Sequence, residues 1–449
     1  MRKKQFTIFV VLLLLFSSVT IVNGLAMGTG SNLDSAPAGA LNIAGVPNTD
    51  NFIVPARNLL ISGWEQVNVN GFGDPNAGEV SALAEFNSYL YAGTSNPVAG
   101  ARIFRSPDGL AWTPIIDPGF GITHDTAPPA ILDLMVFKTR LYASTGRGDG
   151  PGQIWRTVNG VNWAPMTISG FGNPDTVDIS ALAEFNGWIY AGARNLVSGA
   201  QIWRSFSGDS NTWTKVAPAV SSPAASTVTG FGFFNGALYA AIESAGPVQI
   251  WRSYGSDWTT MVSNGFGDGN TKSSGGMATF GAYLYVGAGN DVEGAQLWRT
   301  SNGTGWEQAI SPGFGDPNNQ KVEAVYVFQN KLYAGVNNNQ TGIELWRSAD
   351  GATWEQANPD GCGDVNNTGS NGSNATAEFL GDLYLGTSNT VNGGELWRYQ
   401  SELPPPTTSP TPGSTPTTTP TTMPSPTPTS QPTPGPQSKI YLPVILGWP

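Results

Sequence analysis

The single histidine of the 449-residue chain, His124, is followed directly by Asp125, and Asp133 and Arg147 come soon after. A base, two carboxylates and a cation are the parts of a general acid–base site, such as a hydrolase or lyase of extracellular glycans would need. The competing reading is one drifted unit of a repeat, with solvated loop charges. A second set is spread along the chain. Asp74/Asn76, Asn173/Asp175, Asp268/Asn270, Asp316/Asn318 and Asp364/Asn366 each follow a Gly-Phe-Gly or Gly-Cys-Gly element. Oxygen ligands at alternate positions suit the opening of a Ca²⁺ loop. They equally suit turns in which Asp and Asn bond their own backbone, and recurrence in nearly every unit favours the turn. Cys362 stands where other units carry Phe, so it reads as a buried apolar substitute rather than a nucleophile. The Gly-rich loops precede neither Lys-Ser/Thr nor a helix, which excludes a phosphate cradle.

These residues hang on a repeat whose clearest copy is Ser81 to Trp112. Aligned on the Arg of a Trp-Arg (once Phe-Arg) pair, the units place Arg at 105, 156, 204, 252, 299, 347 and 398, a period near 48. Each unit parses into four short strands joined by tight turns: Ser81 to Phe86, Leu90 to Thr94, Ala101 to Ser106, and a fourth around Trp112. The first strand carries small residues at Ala82, Ala181, Gly230, Gly276, Ala324 and Ala375, with Asp133 the exception, which places it innermost where units crowd. The array begins on a fourth-type strand, Leu60 to Val67, and stops on a third-type strand, Glu395 to Tyr399. Pairing these ends removes two exposed edges. The expectation is all-β: a seven-bladed β-propeller of four-stranded antiparallel blades over 57–400, its last blade closed by the N-terminal strand.

The flanks set the compartment. Residues 1–26 have a basic start, an apolar run and small residues at a cleavage site, as in a secretory signal. Residues 27–56 read as a linker. Residues 401–437 are a Pro/Thr/Ser stalk and 438–449 a short apolar tip. Removing the signal moves the net charge from −11 to −14, which excludes a nucleic-acid backbone as partner. Thirteen of the 15 Trp fall in the third- and fourth-strand columns; Trp188 and Trp448 do not, and Trp188 is expected in a tight turn.

Ser106 to Trp112 and Ser348 to Trp354 resemble the Asp-box of sialidase-type propellers, one residue shorter. The resemblance covers about 57–400 as architecture, and what it implies is a propeller. The arginine clamp of sialidases finds no match: Arg102-Ile103-Phe104 lacks the Pro of the family's segment, and seven of 13 Arg belong to the repeat.

The expected function is a secreted or surface-displayed binding or adhesion module, monomeric, recognising an extracellular glycan or protein. A terminus would provide any attachment to the envelope. Sialidase activity is not expected. A glycan-active hydrolase or lyase and a structural envelope component are the alternatives. Ligands should meet the face that carries the longer loops, those joining fourth to first and second to third strands.

Overall fold

The computed structural model describes residues 60–61, 63–121, 129–148, 150–167, 169–217, 226–255 and 257–400. Segments 1–26 and 27–56, together with residues 57–59 at the start of the repeat region, lie outside them. So do 401–437 and 438–449, and both His124 and Asp125. The described chain is all β-strand with short 3₁₀ turns and no α-helix. It is a repeated β structure of propeller type. Four sheets are four-stranded antiparallel meanders in sequence order. An eight-stranded sheet is two further meanders, joined by the one pair Ser95–Ala130. In the remaining sheet, Thr376–Phe379, Asp382–Gly386 and Leu396–Tyr399 are completed by Trp64–Gln66 from the other end of the array. Gln66 lies opposite Trp397 and Trp64 opposite Tyr399.

The strands that open each meander pack side by side. Glu79–Phe86 lies against Ala130–Phe137, and the series continues through Thr176–Phe185, Thr227–Phe234, Thr271–Phe280 and Asn319–Phe328 to Thr376–Phe379. Thr376–Phe379 in turn lies against Glu79–Phe86. Small side chains permit this approach: Ala82 and Ala324 are fully buried.

Two devices hold neighbouring meanders together. In every meander a second-strand Tyr faces the repeat Arg, as Tyr91 faces Arg105 and Tyr384 faces Arg398. In five units that Tyr reaches under the tight turn of the following unit, and Tyr190 instead donates its hydroxyl to Gly255 O at 2.7 Å. A Cβ on Gly160 would overlap the Tyr91 hydroxyl, and one on Gly208, Gly303 or Gly351 would overlap Tyr142, Tyr239 or Tyr285. The same overlap joins Gly109 to Tyr384, across the two ends of the array. The turn is shaped by its acid: Asp108 Oδ1 accepts the N–H groups of Leu110 (2.9 Å) and Ala111 (2.8 Å).

The second device is the Gly-Phe-Gly element. Phe72, Phe120, Phe171 and Phe266 all sit in the left-handed region, with φ of 54, 58, 55 and 61°. That conformation costs about 1–2 kcal/mol. Each ring is stacked on Phe104, Trp155, Trp203 or Trp298 at centroid separations of 4.1, 4.2, 4.5 and 4.7 Å. The stack returns roughly 1 kcal/mol, and burial of the ring, complete at Phe72 and partial at Phe120, Phe171 and Phe266, adds up to about 1.5–3 kcal/mol, which offsets the strain. Cys362 adopts the same backbone at φ 55° and is wholly buried.

Several sequence expectations need correction. The fourth strands are only two to five residues long, and in most units they begin just after the Trp, as in Thr113–Pro114 and Glu355–Gln356. The N-terminal stretch is two strands, Leu60–Ile61 and Trp64–Gln66, with Gly63 at φ 85° between them. Trp188 is the first residue of a strand, under the Arg204 guanidinium at 4.3 Å. The last unit's inner strand is Thr376–Phe379, because Gly372–Ala375 turns into a 3₁₀ helix instead of extending it.

Replacing Gly109 by Ala should lower the denaturant midpoint by the equivalent of more than about 2 kcal/mol. Gly381→Ala, at φ 86° but with open space around it, should cost only the backbone strain. Equal losses would show that the Tyr384 contact contributes nothing.

Candidate functional site

The inner strands begin at the face carrying the fourth-to-first and second-to-third loops. Residues near those starts converge there on a cavity of about 180 Å³. Its wall draws on Asp178 and Ser180, Thr227 and Thr229, Lys321 and Glu323, and on Arg147 just after the strand Arg140–Gly146. Leu132 is the one apolar side chain in its described lining. The floor is the turn at 371–374. Asn371 Nδ2 donates to the Ser81 and Leu132 carbonyls, both at 2.9 Å, and Asn374 Nδ2 donates to Leu132 O at 3.0 Å. Ser373 Oγ donates to Val325 O at 2.9 Å and accepts from Val325 N at 3.0 Å. With a longer bond from Asn374 Nδ2 to Ser180 O at 3.4 Å, one short segment bonds inner strands from four other units.

The charged groups are held in fixed pairs. Arg147, itself at φ 64°, pairs with Glu79 and donates to Asn371 Oδ1 at 2.8 Å. Its backbone N–H reaches Asp178 Oδ1 at 2.6 Å, and Arg194 Nε holds the other oxygen at 2.5 Å. Lys321 Nζ lies 3.2 Å from Glu243 and 3.6 Å from Glu323. Burial pushes the Lys321 ammonium down, but the two carboxylates outweigh it and hold its pKa above the ordinary value. Burial pushes the Glu79 carboxyl up despite the Arg147 guanidinium beside it. Carboxylates, ammonium, hydroxyls and amides thus face one small space, and a ligand rich in hydroxyls can exchange hydrogen bonds with all of them.

Of the four candidate catalytic residues, Arg147 lines this cavity. No hydrogen bond or ion pair joins Asp133 to it. The Asp133 carboxylate instead accepts the Leu182 N–H of the adjacent inner strand at 2.6 Å, and burial pushes it up to about 7. Sequence reasoning missed Glu79, Asp178, Glu243, Lys321, Glu323 and Asn371. Lys321 and Glu323 were visible as charges at alternate positions of an inner strand, the spacing that puts two side chains on one face.

The paired Asp and Asn residues serve the loops. Asp74 Oδ1 accepts the Asn76 N–H at 3.0 Å, and Oδ2 accepts Asn96 Nδ2 at 2.8 Å. Asp268, Asp316 and Asp364 repeat this, taking the N–H of Asn270, Asn318 and Asn366 at 2.9, 2.8 and 2.9 Å. Their second oxygens take Asn290, Asn338 and Asn389. In the third unit Asn173 Oδ1 accepts the Asp175 N–H at 2.9 Å. The bond from Asn270 holds the Asp268 carboxyl below its usual range. Both oxygens of each carboxylate are engaged by N–H donors, and among the described residues no three acidic, His or Cys side chains gather as a metal site would need. The set latches each fourth-to-first loop to its neighbouring loop. Cys362 Sγ accepts from Asn358 Nδ2 at 3.5 Å, and burial pushes its thiol up to about 12, which leaves it unreactive.

No protein-family model matches the sequence, and no curated protein matches it. Among solved structures, the chain is similar to an α-L-arabinofuranosidase from Clostridium thermocellum at 14% identity, covering 51% of this chain and 93% of that one, TM-score 0.32. A Trypanosoma rangeli sialidase mutant displaying trans-sialidase activity matches at 12% over 77% of this chain and 59% of its own, TM-score 0.42. The extracellular domain of a putative one component system from B. thetaiotaomicron matches at 15% over 74% and 40%, TM-score 0.48. These values place the chain in no family and transfer no activity to it.

The Asp133 carboxyl titrates near 3.8 when unfolded and at about 7 when folded. Above pH 4 the native state must therefore keep a proton that the unfolded chain releases, and stability falls as pH rises through that window, by up to roughly 4 kcal/mol. Asp133→Asn keeps an acceptor for Leu182 and has no charge to bury. Its stability relative to the parent should rise steadily from pH 4 to pH 7.5 in denaturant titrations; a pH-independent difference would contradict the assignment.

Proposed function

We infer that the protein is a secreted binding module, a closed seven-bladed propeller whose axial cavity takes the end of an extracellular glycan. The observation that carries the ligand is the cavity wall: hydroxyls, amides, carboxylates and cations from successive inner strands, with Leu132 the one apolar side chain in the described lining. A volume of about 180 Å³ suits one sugar residue better than a protein surface. Closure of the ring is supported by the contact of Thr376–Phe379 with Glu79–Phe86 and by Trp64–Gln66 completing the last sheet. Secretion is supported by the character of residues 1–26, and display by the Pro/Thr/Ser stretch of 401–437. Binding is favoured over catalysis because the charges at the mouth are committed to one another in ion pairs.

The observation favouring a hydrolytic alternative is Glu79, a carboxyl raised by burial as a general acid requires. Release of reducing sugar that disappears in Glu79→Gln would establish it over simple binding.

The secreted protein, titrated with a panel of neutral extracellular polysaccharides and their oligosaccharides, should bind at least one saturably. Thr229→Val and Lys321→Met should each weaken that binding about tenfold or more, equivalent to ~1.4 kcal/mol. Failure of every glycan, or affinity unchanged in both variants, would count against the axial cavity as the site.

A further inference from the structure

At the face opposite the axial cavity, exposed aromatic rings gather on two neighbouring units. Among the described residues they are Phe206, Phe233 and Tyr254, at 57, 46 and 66% exposure. Phe206 and Tyr254 directly follow the strands Gly199–Ser205 and Gln249–Ser253 of the third and fourth units, where the tight turn begins. Other units carry Pro107, Val158, Ser301 and Ala349 there, so the turn itself does not need a ring. Phe233, near the end of the inner strand Thr227–Phe234, stacks on Phe185 at 6.1 Å. Large apolar groups left in water together on one face mark a contact surface.

Cations alternate with these rings. Lys138 Nζ lies 3.6 Å from the centre of the Phe206 ring and donates to the Phe206 carbonyl at 2.6 Å. Phe206 meets Trp188 edge to face at 5.4 Å, and Arg204 lies over Trp188 at 4.3 Å. Arg204 Nη1 donates to Tyr190 Oη at 3.4 Å, and that hydroxyl donates to the carbonyl of Gly255, the residue after Tyr254. Arg252 stands 5.4 Å from the Tyr254 ring. The row thus runs unbroken from Lys138 to Arg252.

These cations lack the acids that their counterparts have. Arg299 and Arg347 pair with Glu307 and Glu355 on the next strand, and Arg398 pairs with Glu65. Opposite Arg204 and Arg252 the next strand carries Thr214 and Thr259 instead. Asp209, the acid of the third unit's tight turn, is already taken by Arg156 at 2.5 Å and Arg140 at 3.8 Å. Among the described residues, which include Asp257 of the fourth unit's turn, Lys138, Arg204 and Arg252 form no ion pair.

We propose that this row is a second binding site that takes a chain of acidic sugars. Sugar rings lie on Phe206 and Tyr254, and their carboxylates meet Lys138, Arg204 and Arg252. A glycan fits better than an acidic protein, because cations interrupt the apolar surface at each ring, whereas a protein interface gathers its apolar residues into a core depleted of charge. The site stands whether or not the axial cavity binds glycan, because it shares no residue with it.

The full chain is titrated calorimetrically with oligogalacturonate, with neutral dextran oligosaccharides and with polyglutamate, at low and at high salt. Oligogalacturonate should bind saturably, more weakly as salt rises, and tighter than either of the others. Phe206→Ala and Tyr254→Ser install the residue types that the sixth and fifth units carry at the same position, so both unfolding midpoints should be kept. Oligogalacturonate affinity should fall more than about tenfold in the double variant. Arg204→Gln should weaken binding and reduce its salt dependence, and Lys321→Met, at the axial cavity, should leave it unchanged. The proposal is overturned if oligogalacturonate does not saturate, if dextran or polyglutamate binds equally well, or if the double variant binds like the parent while Lys321→Met does not.

Discussion

The structure depends on a tyrosine lying under a glycine. In five of the seven units the second-strand Tyr reaches beneath the tight turn of the next, so closely that any side chain at the turn glycine would overlap its hydroxyl. The contact fixes the glycine and a left-handed backbone there, at φ 75° for Gly109 and 73° for Gly351. It sets the acid that shapes the turn and the Arg that flanks the Tyr. Where it occurs it couples a unit to the following one and sets the spacing between them. That Tyr384 meets Gly109 in this way carries the constraint from the end of the array back to its beginning.

Once the inner strands are drawn together, their starts crowd at one end and must be filled. Most units supply small residues. The 371–374 turn supplies amide and hydroxyl groups that bond the carbonyls of strands in other units, so the crowded end is polar but satisfied. The cost of gathering Glu79, Asp178, Glu243 and Glu323 is offset by Arg147, Arg194 and Lys321. A polar surface held this rigidly is preorganised for a ligand with many hydroxyls.

Much of the architecture was legible in the sequence because it is repeated. Strand order, the inner strand, the turn glycines and the face bearing the longer loops all recur at a period near 48 residues. The repeat arginines bond within their own units, as Arg299 and Arg347 bond Glu307 and Glu355 of their own meanders. The axial site was not legible for the opposite reason. Its residues are single departures scattered through the chain, and nothing in the sequence shows that Arg147 faces Glu79 or that Asn371 reaches Ser81. Asp133 stood out as a charge at a position of small residues, but its carboxylate bonds a backbone N–H rather than joining Arg147. The ambiguity of the Asp/Asn pairs ended with their hydrogen bonds, since Asp74, Asp268, Asp316 and Asp364 each accept N–H groups at both oxygens.

An enclosed axial cavity requires that the two chain ends truly join, since an open array would have no closed mouth. Native-state hydrogen exchange of the amides in Trp64–Gln66 and Leu396–Tyr399 tests this directly. A closed ring predicts that these amides exchange only with global unfolding, as slowly as those of Tyr190 and Ala191 in a central strand. Exchange at the rate of a frayed edge, with the central strands still protected, would contradict the account.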